Sequence, residues 1–151
     1  LMGGKKAFIK KLQKVFDEGL YDPANEPDIA YPYLFSYFKG EEWRTQEMVT
    51  RLLDKHYTTR PDGIPGNDDT GTMSAWAVFS MMGFYPDCPG HPSYTLTTPR
   101  FDRIELADGT VITRKGNGRI KTITLSGKRY NNYRISHKEL KGSTLNIRCA
   151  N

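Results

Sequence analysis

Ten consecutive residues, Met73-Ser74-Ala75-Trp76-Ala77-Val78-Phe79-Ser80-Met81-Met82, are apolar on nearly every side and stop at Gly83. A helix without a polar face must be covered all round, and a glycine just past its end suits a left-handed C-terminal cap. The segment therefore predicts a buried helix that cannot stand alone. Its cover must come from other helices, from a sheet later in the chain, or from polypeptide outside these 151 residues.

Two further helices are predicted before it. Phe8, Ile9, Leu12, Val15 and Phe16 recur at spacings of three and four over residues 4–16, and Trp43, Met48, Val49, Leu52, Leu53 and Tyr57 do so over 41–57. Between them, residues 21–32 read YDPANEPDIAYP, where three prolines argue against continuous helix, and a short apolar segment follows at 33–38. Residues 60–71 hold glycine, proline, asparagine and aspartate without helix or strand periodicity, and read as a loop.

After Pro86 the pattern changes. All nine prolines lie between positions 23 and 99, and beyond Thr98 turn signals alternate with β-favouring residues. Strands are predicted at 94–97, 103–106, 110–114, 120–125, 133–136 and 143–147, with hairpin-type turns at Ala107-Asp108-Gly109 and Ser126-Gly127-Lys128. The fold class is α+β, with helices over residues 1–85 and an antiparallel strand module over 86–151.

Charge follows the same division. Residues 1–90 carry a net charge of −3 and residues 91–151 a net charge of +8. Arg100, Arg103, Arg114, Arg119, Arg129 and Arg134 are spread among strands and turns rather than clustered with stacking aromatics, so a solvated sheet face is expected in place of nucleic-acid binding. No apolar run approaches the ~20 residues of a bilayer span. Cys88 and Cys149 are expected as buried thiols, with a bridge between them as the alternative, and His56, His91 and His137 are too scattered for a metal pair. Trp43 and Trp76 are expected in the core, and Tyr31, Tyr33 and Tyr37 in the core or at a pocket rim.

The chemistry, if any, lies in the two loops. Asn25 and Glu26 sit between prolines in one; Asn67, Asp68 and Asp69 sit just ahead of the apolar helix in the other. Adjacent carboxylates repel, and a loop that holds them needs a compensating donor, cation or reaction. Helix capping by Asp69 or Thr70 is the plainer alternative. Oxygen donors drawn from both loops would suit a hard cation such as calcium.

The strings ANEPDIAYPYLFSYFKGEEWRTQ and PDGIPGNDDTGTMSAWAVFSMMGFYPDCPG resemble the C-terminal part of glycoside hydrolase family 92, the calcium-dependent exo-acting α-mannosidases. The resemblance runs from about Gly4 to the end. It implies that residues 1–85 are the last helical hairpins of an (α/α)6 barrel and that residues 86–151 form a β-sandwich-type module. It implies inverting hydrolysis of terminal α-linked mannose, with Asp69 as general base, Asp68 as its companion, and Asn25 and Glu26 among the Ca2+ ligands. The general acid would lie upstream, in the rest of the parent polypeptide, which would be secreted or periplasmic. Leu1-Met2-Gly3-Gly4 accordingly reads as a cut end, and an exposed barrel wall would favour self-association. The alternative is a noncatalytic carbohydrate-binding or interaction module.

Overall fold

A computed structural model describes residues 3–150. Helices α1 (Gly4–Asp17), α2 (Glu42–His56) and α3 (Thr72–Met82) form where the apolar spacing predicts them. The proline-rich connection departs from its loop reading. Residues Glu26–Tyr37 make consecutive 3-10 turns with Pro27 near the start and Pro32 inside. The first turn of a helix has no internal use for the N–H that proline lacks. Burial of Ile29, Pro32, Tyr33 and Phe35 holds the remainder in place.

Eight strands follow: β1 (Phe84–Tyr85), β2 (Ser93–Leu96), β3 (Arg103–Glu105), β4 (Val111–Lys115), β5 (Ile120–Leu125), β6 (Lys128–Tyr130), β7 (Arg134–Ser136) and β8 (Thr144–Cys149). A four-residue helix, α4 (His137–Leu140), precedes β8 and starts with a capping box between Ser136 and Glu139. The strands make two sheets, ordered β1-β2-β7 and β3-β4-β8-β5-β6. The expectation of a purely antiparallel module needs correction, because β8 inserts beside β4 in parallel register, Ile112 opposite Leu145, while pairing antiparallel with β5 on its other side. Closing the sheet around its last strand buries Leu145, Ile147 and Cys149 at the centre.

Two cores result. One gathers Ile9, Leu12, Phe16, Tyr33, Phe35, Leu52, Met73 and Trp76 from the helical half; the other gathers Phe84, Leu96, Ile112, Ile123, Leu145 and Ile147. Helix α3 serves both, for Trp76 lies in the first while Phe79 and Met82 pack against the second. It is not covered all round, however. Val78 is 54% exposed, while the elements packed most closely on α3 among the described residues are α2, the 3-10 segment and β1.

The halves are pinned by close backbone approach and buried polar contacts. Gly83 adopts φ +85, and a Cβ there would meet Pro99 Cγ at 2.6 Å, so only glycine permits the crossing. The Ile120 N–H donates to Gln46 Oε1 at 2.8 Å across the two halves, and within the helical half the Tyr33 and Ser80 hydroxyls share a hydrogen bond of 2.7 Å. Arg134 donates through Nη1 and Nη2 to Asp87 and lies over the Tyr37 ring at 4.8 Å. Ion pairs of Arg100 with Asp54 and of Arg119 with Glu47 also cross between the halves, while Arg103 pairs with Glu105 and Arg114 with Asp102 within the strand half. Both cysteines are free, Cys149 buried and Cys88 half-buried. No described helix is long and apolar enough to cross a membrane.

Candidate functional site

Tight turns built from unusual backbone present the acidic pair. Asp69, Thr70 and Gly71 follow one another at φ 47, 61 and 91. Non-glycine residues enter the left-handed region at a steric cost, which aspartate tolerates better than most. Asp68 holds this run in place. Its carbonyl accepts from the N–H groups of Gly71 and Met73 at 3.1 and 3.2 Å. Its carboxylate accepts from Ser74 N–H at 2.7 Å through Oδ1 and from Ser74 Oγ at 2.8 Å through Oδ2.

The capping carboxylate of α3 is therefore Asp68, not Asp69 or Thr70. Spacing could not tell, because the cap position itself falls on Gly71, the Asp69 carbonyl rather than its carboxylate accepts from Thr72 N–H at 3.2 Å, and the carboxylate that reaches the first turn is that of Asp68, farther back along the chain. Asp69 is exposed, and no side-chain hydrogen bond or ion pair engages its carboxylate among the described residues. Two neighbouring acids thus have different positions: one anchored, one free.

The first connection is organised by a residue that sequence reasoning passed over. Asp28 is buried and accepts from the Asp22 N–H at 3.0 Å and from Asn25 Nδ2 at 3.2 Å. Its spacing of three from Asn25 is the one local signal that could have found it. Asn25 keeps its amide oxygen uncommitted, and Glu26 is exposed with no side-chain partner among the described residues. Glu26 and Asn25 are hard oxygen donors and so fit a calcium ion chemically. They do not make a cage alone: among the described residues no group of three or more His, Cys, Asp or Glu side chains gathers to hold a metal. Further ligands would have to come from water, backbone or other polypeptide.

The two connections meet. A Cβ on Gly66, at φ +65, would lie 2.7 Å from the Ala24 Cβ, so the second loop rests directly on the first. Beneath them is an aromatic floor. Trp76 donates Nε1–H to the Ile29 carbonyl at 3.0 Å and stacks on Tyr57 with centroids 5.4 Å apart. Tyr85 stacks on Tyr33 at 4.6 Å and tilts toward Trp76 at 6.5 Å. Trp76 is core as expected. Trp43 instead lies half-buried with Arg119 and Arg44 over its ring at 3.8 and 4.4 Å, because it projects from α2 toward the turn that leads into β5.

The charges of both connections are felt on this floor. Burial, followed by the charges of Tyr85 and Asp68, pushes the Tyr57 phenol up to about 12, and burial followed by Glu26 and Asp87 does the same to Tyr85. Tyr21 and Tyr33 are raised as well, by burial first. All four phenols stay neutral through the physiological range. Because the folded chain keeps protons that an unfolded tyrosine releases around 10.0, stability is undiminished below that pH and falls as pH rises toward 12. Loss of helical circular dichroism together with ionisation of these four phenols over this window is the expected result; their ionisation near 10.0 with the helices intact, read by residue-specific NMR, would contradict it.

Residues 1–151 match the glycosyl hydrolase family 92 catalytic domain. An uncharacterized secreted glycosidase of Arthroderma benhamiae is 29% identical over 97% of this chain and 20% of its own length. A family GH92 α-mannosidase from Bacteroides thetaiotaomicron, solved in complex with mannoimidazole, is similar over 97% of this chain and 22% of its own, with TM-score 0.88 and 27% identity. A family GH92 inverting mannosidase from the same organism gives TM-score 0.74 and 32% identity over 97% of this chain and 21% of its own. The chain spans about a fifth of the length of these relatives.

Proposed function

The chain belongs to glycosyl hydrolase family 92, and from that premise we propose that it supplies one side of the catalytic centre of an enzyme that removes terminal α-linked mannose from glycans with inversion. One observation carries the reading. Of two adjacent aspartates, Asp68 is fully engaged by Ser74 while Asp69 is left unengaged, beside a second connection that brings Glu26 to the same floor. In this reading the helical half is the end of an (α/α)6 barrel, and the parent enzyme is secreted or periplasmic.

An inverting glycosidase needs a carboxylate to take a proton from water on one face of the sugar and an acid to protonate the leaving oxygen, about 6.5–9.5 Å away. Asp69 takes the first role. No side-chain hydrogen bond or ion pair engages its carboxylate among the described residues, so a water can bind it and be oriented by it. Asp68 does not react; it holds the turn that presents Asp69. Tyr57 and Tyr85, kept neutral, line the floor without adding negative charge beside the base. The acid belongs to the remainder of the parent polypeptide, so these 151 residues alone are expected to hydrolyse no mannoside. Glu26 and the Asn25 amide oxygen are the residues that would hold calcium. When bound, calcium supplies a hard contact for vicinal sugar hydroxyls.

The test is the stereochemistry of the first product. Proton NMR of the parent enzyme acting on a terminal α-mannoside should show β-mannose first, with the α-anomer appearing only at the rate of mutarotation. Initial release of α-mannose would overturn the assignment of Asp69 as a base.

A further inference from the structure

A second built site lies where α2 meets the larger sheet. Two grooves of about 480 and 340 Å3 share Thr50, Asp54, Thr98 and Asn117, so they form one continuous hollow. The larger is within the range of small-ligand sites. Their walls carry five cationic side chains against two carboxylates, Glu47 and Asp54. Both carboxylates are already taken: Arg119 pairs with Glu47 and Arg100 with Asp54, each pair about half exposed. The hollow retains an excess of positive charge.

Arg114 is the decisive member. Its side chain is only 15% exposed, and it donates Nη2 to the well-exposed Asp102. Its one side-chain hydrogen bond among the described residues leaves the rest of the fork without an acceptor; Nε is closed off from solvent, so a ligand in the groove would be met by the outer nitrogens. A guanidinium that lines a groove with acceptors for only part of its fork is a place where an anion can pair with the outer nitrogens. The neighbouring Arg119 is held over the Trp43 ring at 3.8 Å, which fixes its position in advance of any ligand. Arg114, Arg100 and the exposed Asn117 amide thus present several N–H donors to one hollow, the pattern that recognises oxyanions.

We propose that this groove binds a phosphate-class oxyanion, either free or carried as a substituent on a sugar. No residue of the Asp68–Asp69 connection lines it, so the inference does not rest on the mannosidase reading. The experiment titrates the isotopically labelled parent enzyme, following the Nε–Hε signals of its arginines by NMR, with inorganic phosphate, glucose 6-phosphate and glucose as separate probes at constant ionic strength.

Saturable shifts of the Arg114 signal with a Kd of about 1 mM or tighter are expected for phosphate or glucose 6-phosphate and not for glucose. Tighter binding of the ester identifies a sugar substituent as the source; equal binding identifies the free anion. Arg114→Gln should weaken binding at least about tenfold. Asp54→Asn, which removes a carboxylate and releases Arg100, should tighten it several-fold, a gain that misfolding cannot produce. Shifts matched by chloride, or unchanged affinity in both variants, would overturn the site.

Discussion

Replacing Asp69 with asparagine in the parent enzyme should lower kcat by about 10²–10⁴-fold, the usual contribution of a positioned general base. The thermal midpoint should not move, because the Asp69 carboxylate is exposed and holds no hydrogen bond among the described residues. Asparagine also tolerates the left-handed backbone at φ 47. Asp68→Ala makes the contrast. It removes the acceptor for both Ser74 N–H and Ser74 Oγ, and loss of a helix cap costs about 0.5–2 kcal/mol. Asp68→Ala should therefore lower both stability and activity, and Asp69→Asn activity alone. Steady-state kinetics paired with thermal unfolding separates them. Full activity in Asp69→Asn would remove the base from this loop altogether.

Trp76→Ala should destabilise the chain by about 3–5 kcal/mol, the range for deleting a large buried aromatic. Trp76 is 1% exposed and packs against Tyr33, Tyr57 and Tyr85. It also ties α3 to the 3-10 segment through the Ile29 carbonyl, so the substitution opens a cavity and leaves a buried acceptor unpaired. Against a typical total of about 5–15 kcal/mol, this loss removes much of the folded population's margin. Trp76→Phe, which keeps a ring but not the N–H, should fall between wild type and alanine. Urea denaturation followed by circular dichroism measures both, and an unchanged midpoint for Trp76→Ala would show that the floor does not join the two connections.

Much of this molecule was legible in local patterns, for reasons that are themselves local. The three helices follow from apolar spacing that a 3.6-residue period turns into one face, and Gly83 ends α3 with the left-handed φ +85 that glycine accepts freely. The hairpin between β5 and β6 follows from Ser126-Gly127, both at positive φ. Local pattern predicts loop for part of the 26–37 segment, which is 3-10 in the structure, since proline penalises an α-helix interior far more than the first turn of a 3-10 run.

The division of labour between Asp68 and Asp69 was not legible. Both are aspartates, one residue apart, and only the direction of the backbone between them decides which one reaches Ser74.

Sequence alone determined the elements, their capping glycines, the family resemblance carried by the NEP and GNDD strings, and the concentration of positive charge after residue 90. Each of these is a property of neighbours along the chain. Tertiary structure decided the insertion of β8 between β4 and β5, the resting of Gly66 on Ala24, and the placing of Arg114 along a groove between α2 and the sheet. Those are contacts between residues tens of positions apart. They arise from how two apolar faces exclude water together, and no stretch of sequence carries that information by itself.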